Sequence, residues 1–261
     1  MESHTPVAMV TGASSGLGRG LALALVREGW KVGLLARRED LLTEVAREAM
    51  ELGGEALPLA VDVTDRTALH GRLREGEEAL GPTDLLVANA GIRGRGRPRA
   101  VDGEQLERVF AVNVLGAGYA VEAVLPGMLE RGRGHIIGIS SLAGYRGLPT
   151  APAYSASKAA MTAWLEALRG NLRGTGVDVT IIHPGFVRTP MTEGQEHPMP
   201  FLMELDEAVE AMMRAVRRRP RSVAFPLGLA TIVRSARLLP DAWYDAFIGW
   251  MMRARRKGED G

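Results

Sequence analysis

The stretch TGASSGLGRG, Thr11–Gly20, follows the apolar run VAMV and precedes a segment with helical spacing. Because glycine has no Cβ, Gly12, Gly16 and Gly18 allow a tight turn and a close approach of the backbone to a ligand. A helix N-terminus directs free N–H groups and the positive end of its dipole toward such a ligand. The order strand, glycine-rich loop, helix therefore predicts a diphosphate site. The alternative is a glycine-rich turn that binds no ligand.

Apolar runs rich in β-branched residues alternate with longer segments of helical spacing through the first two thirds of the chain. The runs are VAMVTG, KVGLLA, EALPLAVDV, DLLVANAG, HIIGISS and VDVTIIHPG. Strands separated by such helices pair in parallel with right-handed crossovers, and continuous apolar strands are buried on both faces. The pattern predicts a single-domain α/β fold with a doubly wound parallel sheet. Ligands bind such sheets beyond the carboxyl ends of the strands.

Length and composition are those of a soluble globular protein. The 261 residues are 46% hydrophobic and 24% charged, and the formal net charge is +1. These values argue against a disordered or fibrous chain and against long-range attraction to nucleic acid. Because there is no cysteine, disulfides and thiolate chemistry are excluded. No stretch reaches the ~18 apolar residues that span a bilayer and the N-terminus lacks a signal-peptide pattern, so we expect a cytoplasmic protein.

The end of the second apolar run indicates which dinucleotide binds. An acidic residue here accepts hydrogen bonds from a ribose 2′-hydroxyl, whereas arginine matches a 2′-phosphate. The position holds Ala36, followed by Arg37 and Arg38, so the sequence favours NADP over NAD. Ser14 and Ser15 add hydroxyl donors. We assign the phosphate contact to Arg37; a solvated charge at the start of the next helix is the alternative, and it suits Arg38 better.

The segment AYSASKAAM places Tyr154 and Lys158 four residues apart in a run that favours helix. Residues at i and i+4 lie on one helical face, so the ammonium can stand beside the phenol. A nearby cation favours phenolate and lowers a tyrosine pKa from its usual value of about 10. The pair predicts a tyrosine general acid or base, with an ordinary surface pair as the alternative.

Several motifs follow one another in a fixed order: TGASSGLG, ANAG at Ala88–Gly91, Asn113, ISS ending at Ser141, Tyr154 with Lys158, and PGFVRTP. On these motifs the chain resembles the short-chain dehydrogenase/reductase family over roughly residues 5–226. The resemblance implies a Rossmann-like catalytic domain of about seven strands at 1–226. Residues 227–261 are then a C-terminal helical extension, packed on the domain or at a subunit contact.

The resemblance also implies a catalytic tetrad of Asn113, Ser141, Tyr154 and Lys158. Ser141 would donate a hydrogen bond to a substrate carbonyl oxygen, and Tyr154 would supply the proton. Lys158 would favour the tyrosinate and hold the nicotinamide ribose, and Asn113 would hold a water that links Lys158 to solvent. The thirteen positions from Ser141 to Tyr154 favour Ser141 over its neighbour Ser140.

The implied cofactor site extends over the strand ends. ANAG would pack beside the adenosine and stabilise the sheet, while the Val187 backbone and Thr189 hydroxyl would fix the nicotinamide carboxamide. Asp62 either accepts a bond from the adenine amino group or caps a helix. The full predicted set is Gly12, Ser14, Ser15, Gly16, Leu17, Gly18, Arg37, Asp62, Val63, Asn89, Ala90, Gly91, Tyr154, Lys158, Pro184, Gly185, Val187 and Thr189.

Other segments give weaker signals. Residues 191–204 are rich in methionine and suit either an apolar substrate lid or simple packing. The basic runs Arg93–Arg99 and Arg214–Arg221 lack interleaved aromatics and suit solvated faces, although the first lies near the expected cleft, where it can attract an acidic substrate or a partner. The mechanism needs neither His183 nor His197, and we predict no metal site. The aromatic tail suits packing or a subunit contact better than a membrane interface.

Together these observations predict an NADP(H)-dependent oxidoreductase, a homodimer or homotetramer, that interconverts a carbonyl and a secondary alcohol. The substrate is expected to be a small to medium, largely apolar molecule. The alternative is a non-catalytic regulatory protein that senses NADPH on the same fold. A sensor has no need for Tyr154 and Lys158, so their presence favours the enzyme.

Overall fold

The structure, a computed structural model, describes residues 5–94, 100–194, 199–246 and 248–249. In these ranges seven parallel strands form one sheet in the order β3-β2-β1-β4-β5-β6-β7. The strands are β1 (Val7–Thr11), β2 (Lys31–Ala36), β3 (Ala56–Ala60), β4 (Leu85–Ala88), β5 (Gly134–Ile139), β6 (Val177–Pro184) and β7 (Ser222–Phe225). The predicted doubly wound parallel sheet is confirmed.

Helices cover both faces of this sheet. They are α1 (Gly16–Arg27), α2 (Glu39–Glu51), α3 (Arg66–Leu80), α4 (Gly103–Phe110), α5 (Gly116–Glu130), α6 (Pro152–Asn171), α7 (Leu205–Arg218) and α8 (Leu227–Ala236). A π-helical turn at Ala111–Leu115 joins α4 to α5, and a short 3₁₀ turn at Leu142–Gly144 follows β5. Residues 241–246 are also helical.

Two apolar cores lie on opposite faces of the sheet. Successive side chains of a strand point to opposite faces, so Val7 and Met9 enter one core and Ala8 and Val10 enter the other. Helices α1, α2 and α7 cover the core that contains Ala8, and α3, α5 and α6 cover the core that contains Val7. Burial on both faces explains why the strands read as continuous apolar runs.

The seventh strand was not among the apolar runs of the sequence. Ser222–Phe225 has four residues and follows an arginine-rich segment, so its pattern is too short to stand out. It pairs with β6 alone, at the edge of the sheet. The seven strands implied by the family resemblance are nevertheless all present.

The expectation that no segment is apolar enough to span a membrane needs one correction. The continuous helix Gly103–Glu130 meets that criterion by length and composition. In the fold, its residues Ala120, Val121 and Val124 are buried in the core beside the sheet. Core helices of soluble proteins meet the same criterion, so this helix is weak evidence for a membrane span.

The strand order creates a crevice at the carboxyl ends of β1 and β4. From β1 the chain continues outward to β2 and β3, then returns to the other side of β1 as β4. The loops that follow β1 and β4 therefore diverge, and such a switch point is where doubly wound sheets bind ligands.

Candidate active site

A continuous cavity of about 1070 Å³ lies over the carboxyl ends of the strands. Its walls come from the loops after β1 to β6 and from α8. The cavity brings together every residue that the sequence predicted for the site except Asn113: Gly12, Ser14, Ser15, Gly16, Leu17, Gly18, Arg37, Asp62, Val63, Asn89, Ala90, Gly91, Ser141, Tyr154, Lys158, Pro184, Gly185, Val187 and Thr189.

The glycine-rich loop forms a close-packed turn between β1 and α1. Gly12 and Gly16 have φ angles of 69° and 56°, a region that favours glycine. A Cβ at Gly18 would overlap the side-chain nitrogen of Asn89 and the carbonyl oxygen of Gly12. The N-cap Ser15 makes no side-chain capping bond, which leaves N–H groups of the first helical turn available to a ligand.

Asn89 holds the glycine-rich loop against β4. Its Nδ2 donates to the Thr11 carbonyl oxygen at 2.8 Å and to the Gly12 carbonyl oxygen at 3.3 Å. The Thr11 hydroxyl oxygen in turn accepts from the Asn89 and Ala90 backbone N–H groups, each at 3.0 Å. These bonds fix the shape of the crevice and agree with the structural role expected for ANAG.

Arg38 lies closer to the glycine-rich loop than the sequence suggested. Its Nη2 donates to the hydroxyls of Ser14 and Ser15 at 3.0 and 3.1 Å. The Arg37 side chain is 69% exposed, and its Nη1 lies 3.7 Å from the Asp62 carboxylate. Both arginines line the cavity. Arg38 is an exposed charge at the start of α2, as the alternative held, but its guanidinium also contacts the glycine-rich loop.

Asn113 lies behind the cavity wall, inside the π-helical turn. Its Oδ1 accepts from the Ile92 N–H at 2.8 Å, and its Nδ2 donates to the Ile92 carbonyl oxygen and the Ser157 hydroxyl, both at 3.0 Å. The side chain thus pins the loop that follows β4. A Cβ at Gly91 would lie 3.3 Å from Asn113 Oδ1 and 3.5 Å from Lys158 Nζ, so both side chains flank that glycine.

The two serines after β5 have different surroundings. Ser140 Oγ bonds the Lys158 carbonyl oxygen at 3.0 Å and the Thr162 hydroxyl at 2.7 Å, so it ties β5 to α6. Ser141 Oγ accepts from the Ala143 N–H at 3.1 Å and also hydrogen-bonds with Tyr154. Ser141 is therefore the hydroxyl placed beside the tyrosine, as its spacing predicted.

Tyr154 and Lys158 lie on one face of α6. Lys158 Nζ is 5.8 Å from the centroid of the Tyr154 ring and donates to the Ile139 carbonyl oxygen at 2.7 Å. The lysine is almost fully buried, and burial lowers its pKa from 10.5 to about 8. The ammonium is therefore the main form at neutral pH, and it is lost as the pH rises through about 8.

The pKa of Tyr154 is raised, whereas the sequence predicted that it would be lowered. Desolvation by the cavity walls raises it above 10, while the hydrogen bond from Ser141 and the charge of Arg93 lower it. The expected downward shift is therefore outweighed by burial. The cation that most affects this phenol is Arg93, which the sequence placed in a basic run near the cleft and which is partly buried in the cavity wall.

The remaining basic and apolar segments are only partly described. Arg214, Arg217 and Arg219 in the second basic run pair with Glu210, Glu28 and Asp178. Met191 and Pro200 from the methionine-rich segment line the cavity, whereas His197 and residues 195–198 as a whole lie outside the described residues. In the described ranges no group of three His, Cys, Asp or Glu side chains is placed to hold a metal.

Two buried histidines predict acid sensitivity. Burial lowers the pKa of His135 and of His183 from 6.5 to about 4. The folded state favours the neutral form of each histidine, so the contribution of that histidine to the free energy of unfolding is complete above pH 6.5. This contribution decreases below pH 6.5 and is lost as the pH falls through 4, because the unfolded chain binds the proton first. At roughly 1.4 kcal/mol per pKa unit, acidification to pH 4 is expected to lower the free energy of unfolding by up to about 3 kcal/mol for each histidine.

Urea unfolding at pH 7, 5.5 and 4.5 checks this prediction. His183→Phe keeps a ring beside Tyr145, whose centroid is 5.0 Å from the imidazole, and is expected to reduce the loss of stability on acidification. Arg47→Gln, at an exposed ion pair on α2, alters no histidine and is the control; it should keep the wild-type pH dependence. An unchanged pH dependence in His183→Phe would contradict the assignment.

Comparison with known proteins agrees with this geometry. A family model described as short chain dehydrogenase matches residues 6–199. An uncharacterized oxidoreductase of Myxococcus xanthus is 47% identical over 239 residues, which cover 92% of this chain and 94% of that relative.

Two solved structures that share this fold contain different nicotinamide cofactors. An actinorhodin polyketide ketoreductase with NADPH has 31% identity and a TM-score of 0.79, with 87% of this chain and 97% of that chain covered. A short chain dehydrogenase/reductase from Burkholderia phymatum in complex with NAD has 25% identity and a TM-score of 0.82, with 90% and 93% covered. The protein described here belongs to the short-chain dehydrogenase/reductase family of oxidoreductases.

Proposed function

We propose that the protein is an NADP(H)-dependent oxidoreductase that interconverts a carbonyl and a secondary alcohol on a small to medium, largely apolar substrate. The observation that carries this proposal is the placement of Ser141, Tyr154 and Lys158 in the same cavity as the glycine-rich loop. Two hydroxyls that can bond one substrate oxygen, with a buried cation beside them, are the groups that carbonyl reduction needs.

The residues around α1 fit a nicotinamide dinucleotide. Gly12 and Gly18 pack so closely against Asn89 that neither has room for a Cβ, and this packing shapes the loop. The start of α1 offers N–H groups to a diphosphate. Arg37 and Arg38 offer two cations to a ribose 2′-phosphate, and the position at the end of β2 holds Ala36 in place of a carboxylate. When bound, the cofactor gives a hydride to the carbonyl carbon or takes one from the alcohol carbon.

Side chains of the protein polarise the substrate oxygen and exchange a proton with it. Ser141 Oγ donates a hydrogen bond to the substrate oxygen and polarises the carbonyl. Tyr154 Oη donates its proton to the same oxygen during reduction and accepts it during oxidation. The Lys158 ammonium stabilises the tyrosinate, and Asn113 keeps the adjacent loop in place through Ile92. Because its surroundings raise the pKa of the phenol, Tyr154 suits the role of a group that must hold a proton until reduction.

Cofactor choice gives a prediction for the arginine pair. Arg37→Ala and Arg38→Ala are each expected to weaken NADPH about tenfold or more, because a charge-assisted hydrogen bond contributes about 1.5 to 3 kcal/mol. NADH affinity should change little, since NADH has no 2′-phosphate. Ala36→Asp should repel the phosphate and raise relative use of NADH. Titrating both cofactors by fluorescence measures all three effects.

Arg47→Ala is the matched control, because Arg47 pairs with Glu51 on the exposed side of α2. This variant should keep the wild-type preference. If wild type binds NADH and NADPH equally and neither arginine variant loses NADPH selectively, the NADP assignment is wrong.

The proposed activity is tested with a panel of ketones and secondary alcohols, followed by NADPH absorbance. We expect turnover of apolar ketones, and turnover at least about 10²-fold lower in Tyr154→Phe. NADPH binding with no turnover on any panel member would favour the sensor instead.

A further inference from the structure

The segment after β7 forms part of the cavity wall. Residues Leu229, Ile232, Val233 and Ala236 follow the spacing i, i+3, i+4, i+7, which places them on one face of α8. All four line the same cavity as Tyr154. Tyr244 and Ile248, further along the chain, line it as well. We call these six residues the C-terminal wall.

The C-terminal wall is apolar where it meets the substrate end of the cavity. Leu229 packs in a small core with Leu142, which directly follows Ser141, and Val233 packs against this core. Ile232 is 56% exposed in total, although it also lines the cavity. Hydrocarbon therefore extends from the catalytic hydroxyls along one face of α8.

Polar contacts hold this wall against the loop that joins β5 to α6. Arg146 Nη2 lies 2.7 Å from Asp241 Oδ1, and its guanidinium stands 4.3 Å from the centroid of the Tyr244 ring. The Tyr244 hydroxyl donates to the Gly147 carbonyl oxygen at 2.6 Å. This loop carries Ser141 at one end and leads to Tyr154 at the other, so the contacts connect the wall to the catalytic groups.

A second contact lies in the last turn of α8. Arg234 Nε and Nη2 each donate to the Tyr145 hydroxyl at 3.3 Å. The Tyr145 ring packs on His183 of β6, with the centroids 5.0 Å apart. The wall is thus held at Tyr145 and at Arg146, two neighbouring residues of one loop.

The two residues of the Arg146–Asp241 ion pair differ in their exposure to solvent. The Arg146 side chain is 20% exposed, whereas that of Asp241 is 92% exposed. Arg146 itself lines the cavity, and its guanidinium pairs with Asp241 and stands over the Tyr244 ring.

We propose that the C-terminal wall selects the hydrocarbon chain of the substrate and that the Arg146–Asp241 pair positions this wall. The substrate class is then ketones, or the matching secondary alcohols, with a long unbranched apolar chain beside the reacting carbon. This inference rests on the proposed carbonyl chemistry and adds the group that the cavity recognises. It also assigns the six residues of the C-terminal wall a role within the active site in place of a subunit contact.

A homologous series of ketones tests the proposal. With NADPH and wild type, kcat/KM is expected to rise from 2-butanone to 2-heptanone to 2-undecanone, by up to about fourfold for each buried methylene. Ala236→Phe should fill the far part of the cavity and lower the ratio of kcat/KM for 2-undecanone to that for 2-butanone at least tenfold. Ser235→Phe adds the same ring at an exposed residue of α8 outside the cavity and should keep the wild-type ratio.

The positioning role of the ion pair has its own variants. Asp241→Asn should raise KM for 2-undecanone severalfold while kcat stays within about twofold, since the catalytic hydroxyls are untouched. Asp241→Glu keeps the charge and should restore KM. Glu210→Gln removes an exposed partner of Arg214 on α7 and is the control.

A binding measurement separates this inference from the proposed reaction. Calorimetric titration of 2-undecanone into the protein with NADP⁺ needs no turnover, and Ala236→Phe should weaken that binding at least tenfold. If wild type reduces no ketone but binds 2-undecanone through the wall, the reaction is wrong and the wall stands. If the chain-length ratio and the binding are the same in wild type, Ala236→Phe and Asp241→Asn, the wall inference is overturned.

Discussion

Tyr154→Phe is expected to lower kcat/KM for ketone reduction by roughly 10²- to 10⁴-fold, the range for loss of a general acid. The substitution removes the phenolic proton and the hydrogen bond with Ser141 but keeps the ring in the cavity wall. Steady-state rates of NADPH oxidation measure the loss. Because the glycine-rich loop and the arginine pair are unchanged, NADPH affinity should stay within a few-fold of wild type.

Tyr119→Phe is a matched control for this experiment. Tyr119 lies on α5, where Arg66 stands over its ring, and it does not line the cavity. Loss of the Tyr119 hydroxyl should affect turnover far less than the loss of the Tyr154 hydroxyl. Turnover by Tyr154→Phe within about tenfold of wild type would mean that another group supplies the proton.

Ser141→Ala is expected to lower kcat by roughly 10²- to 10³-fold, as the removal of a hydrogen-bond donor to a developing oxyanion does elsewhere. The effect should fall on kcat more than on KM, because the bond strengthens as negative charge forms on the substrate oxygen. Single-turnover rates at saturating NADPH measure the chemical step directly.

Ser140→Ala is the control next to it in the chain. It removes the bonds to the Lys158 carbonyl oxygen and Thr162, so it should reduce the free energy of unfolding by about 1 kcal/mol and leave most of the catalytic rate. The assignment of the two serines is wrong if Ser140→Ala loses more of the chemical rate than Ser141→Ala.

The fold was predictable because its signals are local and repeated. Each central strand is buried on both faces and reads as a continuous apolar run, and the glycine-rich loop contains two glycines, Gly12 and Gly16, at positive φ. The edge strand Ser222–Phe225 was missed by pattern alone, since four residues beside an arginine run carry too little periodicity.

The motif order also predicted which residues would lie near one another, but it did not predict their contacts. Nineteen of the predicted site residues line one cavity. The sequence could not show that the Arg38 guanidinium contacts the hydroxyls of Ser14 and Ser15, because a side chain at a helix start is normally solvated.

Electrostatics and distant packing were beyond the sequence. The i to i+4 spacing predicted the shared face of Tyr154 and Lys158, but burial decides the direction of both pKa shifts. The approach of Arg93 to the phenol and the pairing of Arg146 with Asp241 depend on loops that are distant in sequence.

The central claim is that Tyr154 and Ser141 assist hydride transfer between a nicotinamide cofactor and a carbonyl carbon. The most direct measurement follows deuterium from NADPH labelled at C4, in each of its two stereospecific forms, into the alcohol formed from 2-undecanone, by mass spectrometry. The account predicts an alcohol with one deuterium on the carbinol carbon from one labelled form, and almost none when Tyr154→Phe replaces wild type. Wild-type protein that binds NADPH but forms no deuterated alcohol from any ketone of the panel would contradict it.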